Sequence, residues 1–180
     1  GSVNALPGNA LFIEKSVFVT HPQFPEHLET CEDWVFTNTL AMQGDVILSD
    51  KTHFVHLGED KSFATLFRKE IWRGTSNLGS IRGRKIELAE WPSFIVPMAV
   101  GGGLLVSVLL LIFGQWWGSL VLLGFSLLAP LLYTLRLKKK SAVPVGLFTL
   151  VYFYLVYFSA RAVGMMKGLL SGETLRESIR

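Results

Sequence analysis

Pro92-Ser93-Phe94-Ile95-Val96-Pro97-Met98-Ala99-Val100-Gly101-Gly102-Gly103-Leu104-Leu105 opens a stretch without a single Asp, Glu, Lys or Arg as far as Leu135. The run is 44 residues long, roughly 66 Å of helix, or about two crossings of a hydrocarbon core of about 30 Å. One helix is too long for a bilayer. Gly114-Gln115-Trp116-Trp117-Gly118 in its middle supplies a turn and interfacial aromatics, so the expected spans are 94–114 and 117–135. Arg136, Lys138, Lys139 and Lys140 follow, and then a third uncharged run, Ser141 to Ala160, that includes Val151-Tyr152-Phe153-Tyr154-Leu155. A third span is expected at 143–161, within a transmembrane region of 92–165, with 166–180 as a polar C-terminal tail.

The composition agrees. The 180 residues are 50% hydrophobic and only 17% charged, with a mean hydropathy of +0.41, too apolar for an ordinary soluble domain of this length. The net charge of +3 and pI near 9.1 are mild and do not argue for nucleic acid. Distribution says more. Residues 1–60 hold nine acids against two bases, and residues 61–85 hold seven bases against one acid. The single cysteine, Cys31, excludes an internal disulfide framework and a cysteine-rich zinc site. Gly1-Ser2-Val3-Asn4 lacks the basic start and apolar core of a signal peptide, and an apolar stretch, Ala10 to Ile13, follows without a partner, so the chain reads as a fragment.

Basic residues set the orientation. The cluster at 136–140 and the basic stretch at 61–85 fall on the same side of the first hairpin, which places residues 1–91 in the cytoplasm. Three crossings would put Arg161, Lys167, Arg176 and Arg180 outside, which the same rule disfavours. A re-entrant or interfacial third segment is the alternative to the three crossings expected.

Residues 1–60 read as mixed α/β. Asn9 to Val19 looks like a short strand and turn, Glu32 to Gln43 like a helix with acids in its first turn and Gly44 past its end, and Asp45 to Leu57 like one or two strands. Residues 62–73 place Phe63, Leu66, Phe67 and Ile71 at helical spacing with Arg68, Lys69, Trp72 and Arg73 at the border, the pattern of a helix lying in a membrane surface. Residues 61–91 are thus a basic amphipathic interfacial segment.

Three groups of residues invite chemistry. Glu32 and Asp33, in Glu29-Thr30-Cys31-Glu32-Asp33-Trp34, stand where acids simply favour a helix start; the chemical alternative is that Asp33 takes a proton from a hydroxyl nucleophile. His56, beside Glu59 and Asp60, has the side chain to complete a divalent metal site, although a strand-end histidine is more often structural. Arg68 and Arg73 belong to a basic segment that either holds anionic headgroups or grips a phosphate or diphosphate. Interleaved aromatics argue for lipid over nucleic acid.

Taken in order, Pro7-Gly8-Asn9-Ala10-Leu11-Phe12-Ile13-Glu14-Lys15, Phe24-Pro25-Glu26-His27-Leu28-Glu29-Thr30-Cys31-Glu32-Asp33, Gly44-Asp45-Val46-Ile47, Val55-His56 and Phe67-Arg68-Lys69-Glu70-Ile71-Trp72-Arg73-Gly74 resemble the C-terminal half of a membrane-bound family 2 glycosyltransferase. The resemblance covers roughly residues 5–85 and implies that residues 1–60 are the C-terminal part of an α/β glycosyltransferase-type catalytic domain, an incomplete nucleotide-diphospho-sugar transferase fold, ahead of the helical membrane region. By resemblance Asp33, with Glu32, is the general base for the acceptor hydroxyl, His56 approaches the metal (Mg or Mn) or donor diphosphate, and Arg68, Trp72 and Arg73 contact substrate.

The implied partners are a nucleotide-sugar donor, a lipid-linked or membrane-proximal acceptor and membrane lipids, with transfer by metal-assisted inverting displacement at a bacterial inner membrane. Two departures matter. The order Trp72-Arg73, without the glutamine of processive relatives, favours transfer of a single sugar, and Pro22-Gln23-Phe24-Pro25 stands where the family has Gly-Gly-Phe-Asp. No Asp-x-Asp occurs in the 180 residues, so the donor-binding half is expected elsewhere. The rival class is a non-catalytic membrane anchor or docking module. A transporter fits less well, because the spans hold no acid and only Arg161 near one end.

Overall fold

The structure, a computed structural model, describes residues 1–6, 11–21, 23–26, 28, 30–51, 62–81, 86–140 and 144–170. It divides into two compact units, Gly1–Glu59 and Asp60–Arg180. The helices are α1 (Lys15–Thr20), α2 (Glu32–Ala41), α3 (Phe63–Thr75), α4 (Trp91–Ile112), α5 (Trp116–Lys140) and α6 (Leu147–Leu170), with short 3-10 turns at Gly79–Ile81 and Leu88–Glu90.

The first unit corrects the α/β expectation. The described residues are 72% helical, and there is no strand among them. What β pairing exists is one isolated antiparallel bridge between Ser2 and Ile47, flanked by Val3 N–H donating to Val46 O (2.8 Å) and Leu48 N–H donating to Gly1 O (2.9 Å). A ladder needs neighbours to continue it, and Ile47 and Leu48 are instead exposed. Lys15–Thr20, most of which falls in the short strand and turn expected over Asn9 to Val19, is a helical turn and a half, in which the Thr20 hydroxyl donates to Ser16 O (2.8 Å). Local side-chain bonding to the backbone outweighs β propensity there. The part of the expected second strand over 52–57 lies outside the described residues.

Helix α2 is the post on which this unit is built. Thr37, fully buried, accepts from Leu6 N–H (2.9 Å) and stands 3.0 Å from Leu6 O, and the Asn38 amide donates to Asn4 O (3.0 Å), so the N-terminal segment is tied along the helix. Phe36 carries the apolar side: its ring stacks on Phe24 at 4.3 Å and meets Phe18 edge-on at 5.9 Å. The helix ends at Ala41, two residues short of the expected Gln43, and Gly44 lies beyond its cap, Met42.

In the second unit, α4, α5 and α6 are each long and apolar enough to cross a membrane, which marks an integral membrane protein. They run 91–112, 116–140 and 147–170, against the expected 94–114, 117–135 and 143–161. A tight turn joins the first two: Gly114 adopts φ +75°, a conformation that side-chain-bearing residues resist. Trp116 and Trp117 stack at 4.1 Å beside it. Along the hairpin the Ser107 hydroxyl donates to Ser119 O (2.9 Å). Gly103 faces Ser126 so closely that a Cβ would lie 2.2 Å from its Oγ. Small residues let these backbones approach.

Pro97 and Pro130 sit buried inside α4 and α5. A helix proline frees the carbonyl four residues earlier. For Pro97 that carbonyl is Ser93 O, and the Asn77 amide stands over it at 3.5 Å. Helix α6 packs on both neighbours, through Tyr133 against Tyr154 (5.6 Å) and Phe158 (5.1 Å), and through Ala162 against Gly101.

Helix α3 starts with Ser62, whose Oγ accepts from Thr65 N–H (3.2 Å). Expected to lie flat in a membrane surface, it packs lengthwise on α6. Phe63 meets Tyr152, Glu70 meets Arg161 and Thr75 meets Gly168, so the two helices run side by side in one direction. Glycines make this contact possible. A Cβ on Gly164 would lie 2.2 Å from Ile71 O, one on Gly168 2.1 Å from Thr75 O, and one on Gly74 2.8 Å from Arg161 O.

Candidate functional site

Two groups of polar residues stand out, one in each unit. In the first, Glu32 and Asp33 occupy the opening turn of α2, where unpaired backbone N–H groups and the helix dipole favour carboxylates. Their approach is unusual. Cys31, the residue ahead of the helix, has φ +68° and makes no side-chain cap, a left-handed conformation that costs a non-glycine residue about 1 kcal/mol or more. The Asp33 carboxylate accepts from Trp34 N–H at 2.7 Å. Both acids line a cavity of about 530 Å³ whose other walls are Leu11, Ile13, Phe18, Phe24 and Phe36. The sequence-predicted pair is therefore brought to one opening, and Asp33 is half-buried at its edge. A second cavity of about 500 Å³ shares Leu11 and Ile13 and reaches Glu14, His21 and Asp45.

These residues do not fit a metal centre. Among the described residues no three His, Cys, Asp or Glu side chains gather where an ion could be held. His56, the sequence-predicted metal ligand, lies outside the described residues.

In the second unit, the three residues expected to contact substrate or phosphate all ride on α3. Arg68 is exposed and Trp72 half-exposed. Arg73 is half-exposed, but its Nη1 donates to Glu70 Oε1 at 2.6 Å, so part of its guanidinium serves the protein itself. Lys61, Arg82, Arg84 and Lys85 of the same basic segment lie outside the described residues.

Glu70 and Arg161 are the pair that sequence reasoning missed. Glu70 is 1% exposed, and its second oxygen accepts from Arg161 Nε at 2.6 Å. The Arg161 guanidinium in turn lies 5.4 Å from the Tyr157 ring centroid, a cation–π contact within one turn of α6. A carboxylate so deeply buried is tolerable only because two guanidinium groups meet it with short charge-assisted bonds. The signal was present as two oddities: Glu70 is the one acid among seven bases, and Arg161 closes an apolar run otherwise free of charge. Their complementary signs were the clue.

Compared with known proteins, the chain matches no family model, no curated protein and no solved structure.

Proposed function

We propose that this chain supplies the acceptor-activating and membrane-anchoring part of a glycosyltransferase that moves one sugar from a nucleotide-sugar donor to a lipid-linked or membrane-proximal alcohol. The observation that carries the proposal is that Asp33 and Glu32 together line one cavity, beside Leu11, Ile13, Phe18, Phe24 and Phe36. An alcohol whose hydroxyl reaches that cavity hydrogen-bonds to the Asp33 carboxylate. As its oxygen forms the new bond to the anomeric carbon, the proton passes to Asp33 and the bond to the nucleoside diphosphate breaks on the opposite face, inverting the centre.

In this proposal residues 1–60 stand on the cytoplasmic face of a bacterial inner membrane, where nucleotide sugars are available. Arg136 and Lys138 to Lys140 support that orientation. The absence of Asp-x-Asp from the sequence requires a donor-binding half in addition. The test uses membranes holding the chain together with that half and a panel of radiolabelled nucleotide sugars. Asp33→Asn is expected to abolish transfer while leaving donor binding nearly intact, and label should partition into organic solvent if the acceptor is a lipid. Unchanged turnover in Asp33→Asn removes the residue from the role.

One observation favours a second proposal, a docking or anchoring module without catalysis: α3 is locked to α6 by close glycine contacts and a buried ion pair, which is an investment in rigidity and not in chemistry. Transfer activity in the assay above rules it out.

A further inference from the structure

Helix α5 is a ruler. Its stacked Trp116 and Trp117 mark one boundary of the bilayer, since paired exposed indoles settle at the headgroup level. Trp117 and Lys138 are 21 positions apart, roughly 31 Å along a helix, against a hydrocarbon thickness of about 30 Å. Lys138, Lys139 and Lys140, the last turn of α5, therefore emerge in the opposite headgroup layer. Arg136, one turn before Lys140 and on the same side of the helix, reaches the same layer by extending its side chain.

All four are exposed. The cluster is also confined: α6 begins at Leu147, so the chain returns to apolar sequence only seven positions after Lys140. No Asp or Glu occurs between residues 91 and 172 to compete for these cations from the spans themselves. A helix C-terminus favours cations in its last turn, but that effect falls off within the turn and does not call for four.

We propose that the C-terminal end of α5 is a binding site for anionic phospholipid, with Arg136, Lys138, Lys139 and Lys140 gripping the headgroup phosphates. This is separate from the chemistry assigned to Asp33 and stands whether or not the chain takes part in sugar transfer. Phosphate is the shared chemistry. A lipid source is favoured over a free anion because the cations are fixed in the headgroup plane, where the phosphates of an anionic leaflet already concentrate.

The test reconstitutes the full chain in nanodiscs of phosphatidylcholine with a minority of phosphatidylglycerol and measures, by native mass spectrometry of the released complex, which lipid is retained. At low salt the wild type is expected to retain phosphatidylglycerol preferentially. Each cation is worth about 1 kcal/mol at such a surface, roughly fivefold, so Lys138→Gln/Lys139→Gln/Lys140→Gln together reduce the preference on the order of a hundredfold. The corresponding triple Lys→Arg variant keeps it. Should the triple Gln variant fail to insert, Lys139→Gln alone is expected to lose about fivefold.

Three results overturn the proposal: the same preference in the Gln variants, a preference that survives about 1 M salt, where screening acts within ~3 Å, or full displacement by soluble glycerol phosphate, which assigns the site to a free anion.

Discussion

Replacing Glu70 with Gln keeps the shape of the side chain and removes its charge. In the wild type, one buried carboxylate accepts from Arg161 Nε and Arg73 Nη1, each at 2.6 Å. The two bonds are not equal. Arg73 is 48% exposed and turns to water at little cost, so its share is at most about 1 kcal/mol. Arg161 is 17% exposed on a long apolar helix, and stripping its partner leaves a desolvated guanidinium, a loss of about 3–5 kcal/mol. For a protein of this length that lowers the thermal midpoint by roughly 6–20 °C.

The assay is thermal or detergent unfolding of the full chain in micelles, followed by far-ultraviolet circular dichroism, which reports mainly on the helices of the membrane unit. The cycle is closed with Arg161→Gln and with the double variant. Removing both charges should restore stability to within about 1–2 kcal/mol of wild type, well short of the sum of the two single losses. A cost below about 1 kcal/mol for Glu70→Gln, or strictly additive single and double variants, would refute the account of this pair as the bond that fixes α3 to α6.

Two further predictions concern backbone geometry. Gly164→Ala places a methyl group 2.2 Å from Ile71 O, so α3 must retreat by about 1 Å, and the Glu70–Arg161 bond stretches beyond hydrogen-bonding length; the expected loss is about 2 kcal/mol or more, read from the same unfolding curves and absent from Gly102→Ala, where a methyl meets nothing within 4 Å. At Cys31, with φ +68°, Cys31→Gly should leave stability equal or higher by up to about 1 kcal/mol, whereas Cys31→Val should fall at least about 1 kcal/mol below the Gly variant; indistinguishable melting curves for the two would show that the left-handed turn is not held in solution.

What the sequence made legible is what local rules decide. The uncharged run interrupted at Gly114 required two spans, and the periodic Phe63, Leu66, Phe67 and Ile71 required a helix with its start at Ser62. The acids before Trp34 and the glycine at position 44 bracketed α2. The strands were misjudged because alternation in a short stretch is ambiguous until a partner strand is known, and among the described residues Val46, Ile47 and Leu48 pair only with Gly1 to Val3. The third span was ended too early at Arg161, since a charge normally closes an apolar segment; here Glu70, 91 positions upstream, supports it and the helix continues to Leu170. Partners that far apart leave no periodic trace. Asp33 could be placed at a helix start from sequence, but the apolar cavity beside it depends on Phe18 and Phe24 folding back onto Phe36.

The ion pair between α3 and α6 also bears on how the protein is made. An arginine near the middle of a segment entering the bilayer carries an insertion cost of about 2.5–3.5 kcal/mol. Ribosomes deliver Glu70 well before Arg161, with the first hairpin threaded between them. The third helix thus leaves the translocon to find its counter-charge already waiting, and loss of that carboxylate should appear first in newly made chains, as a tail segment that hesitates at the membrane and falls to quality-control proteases.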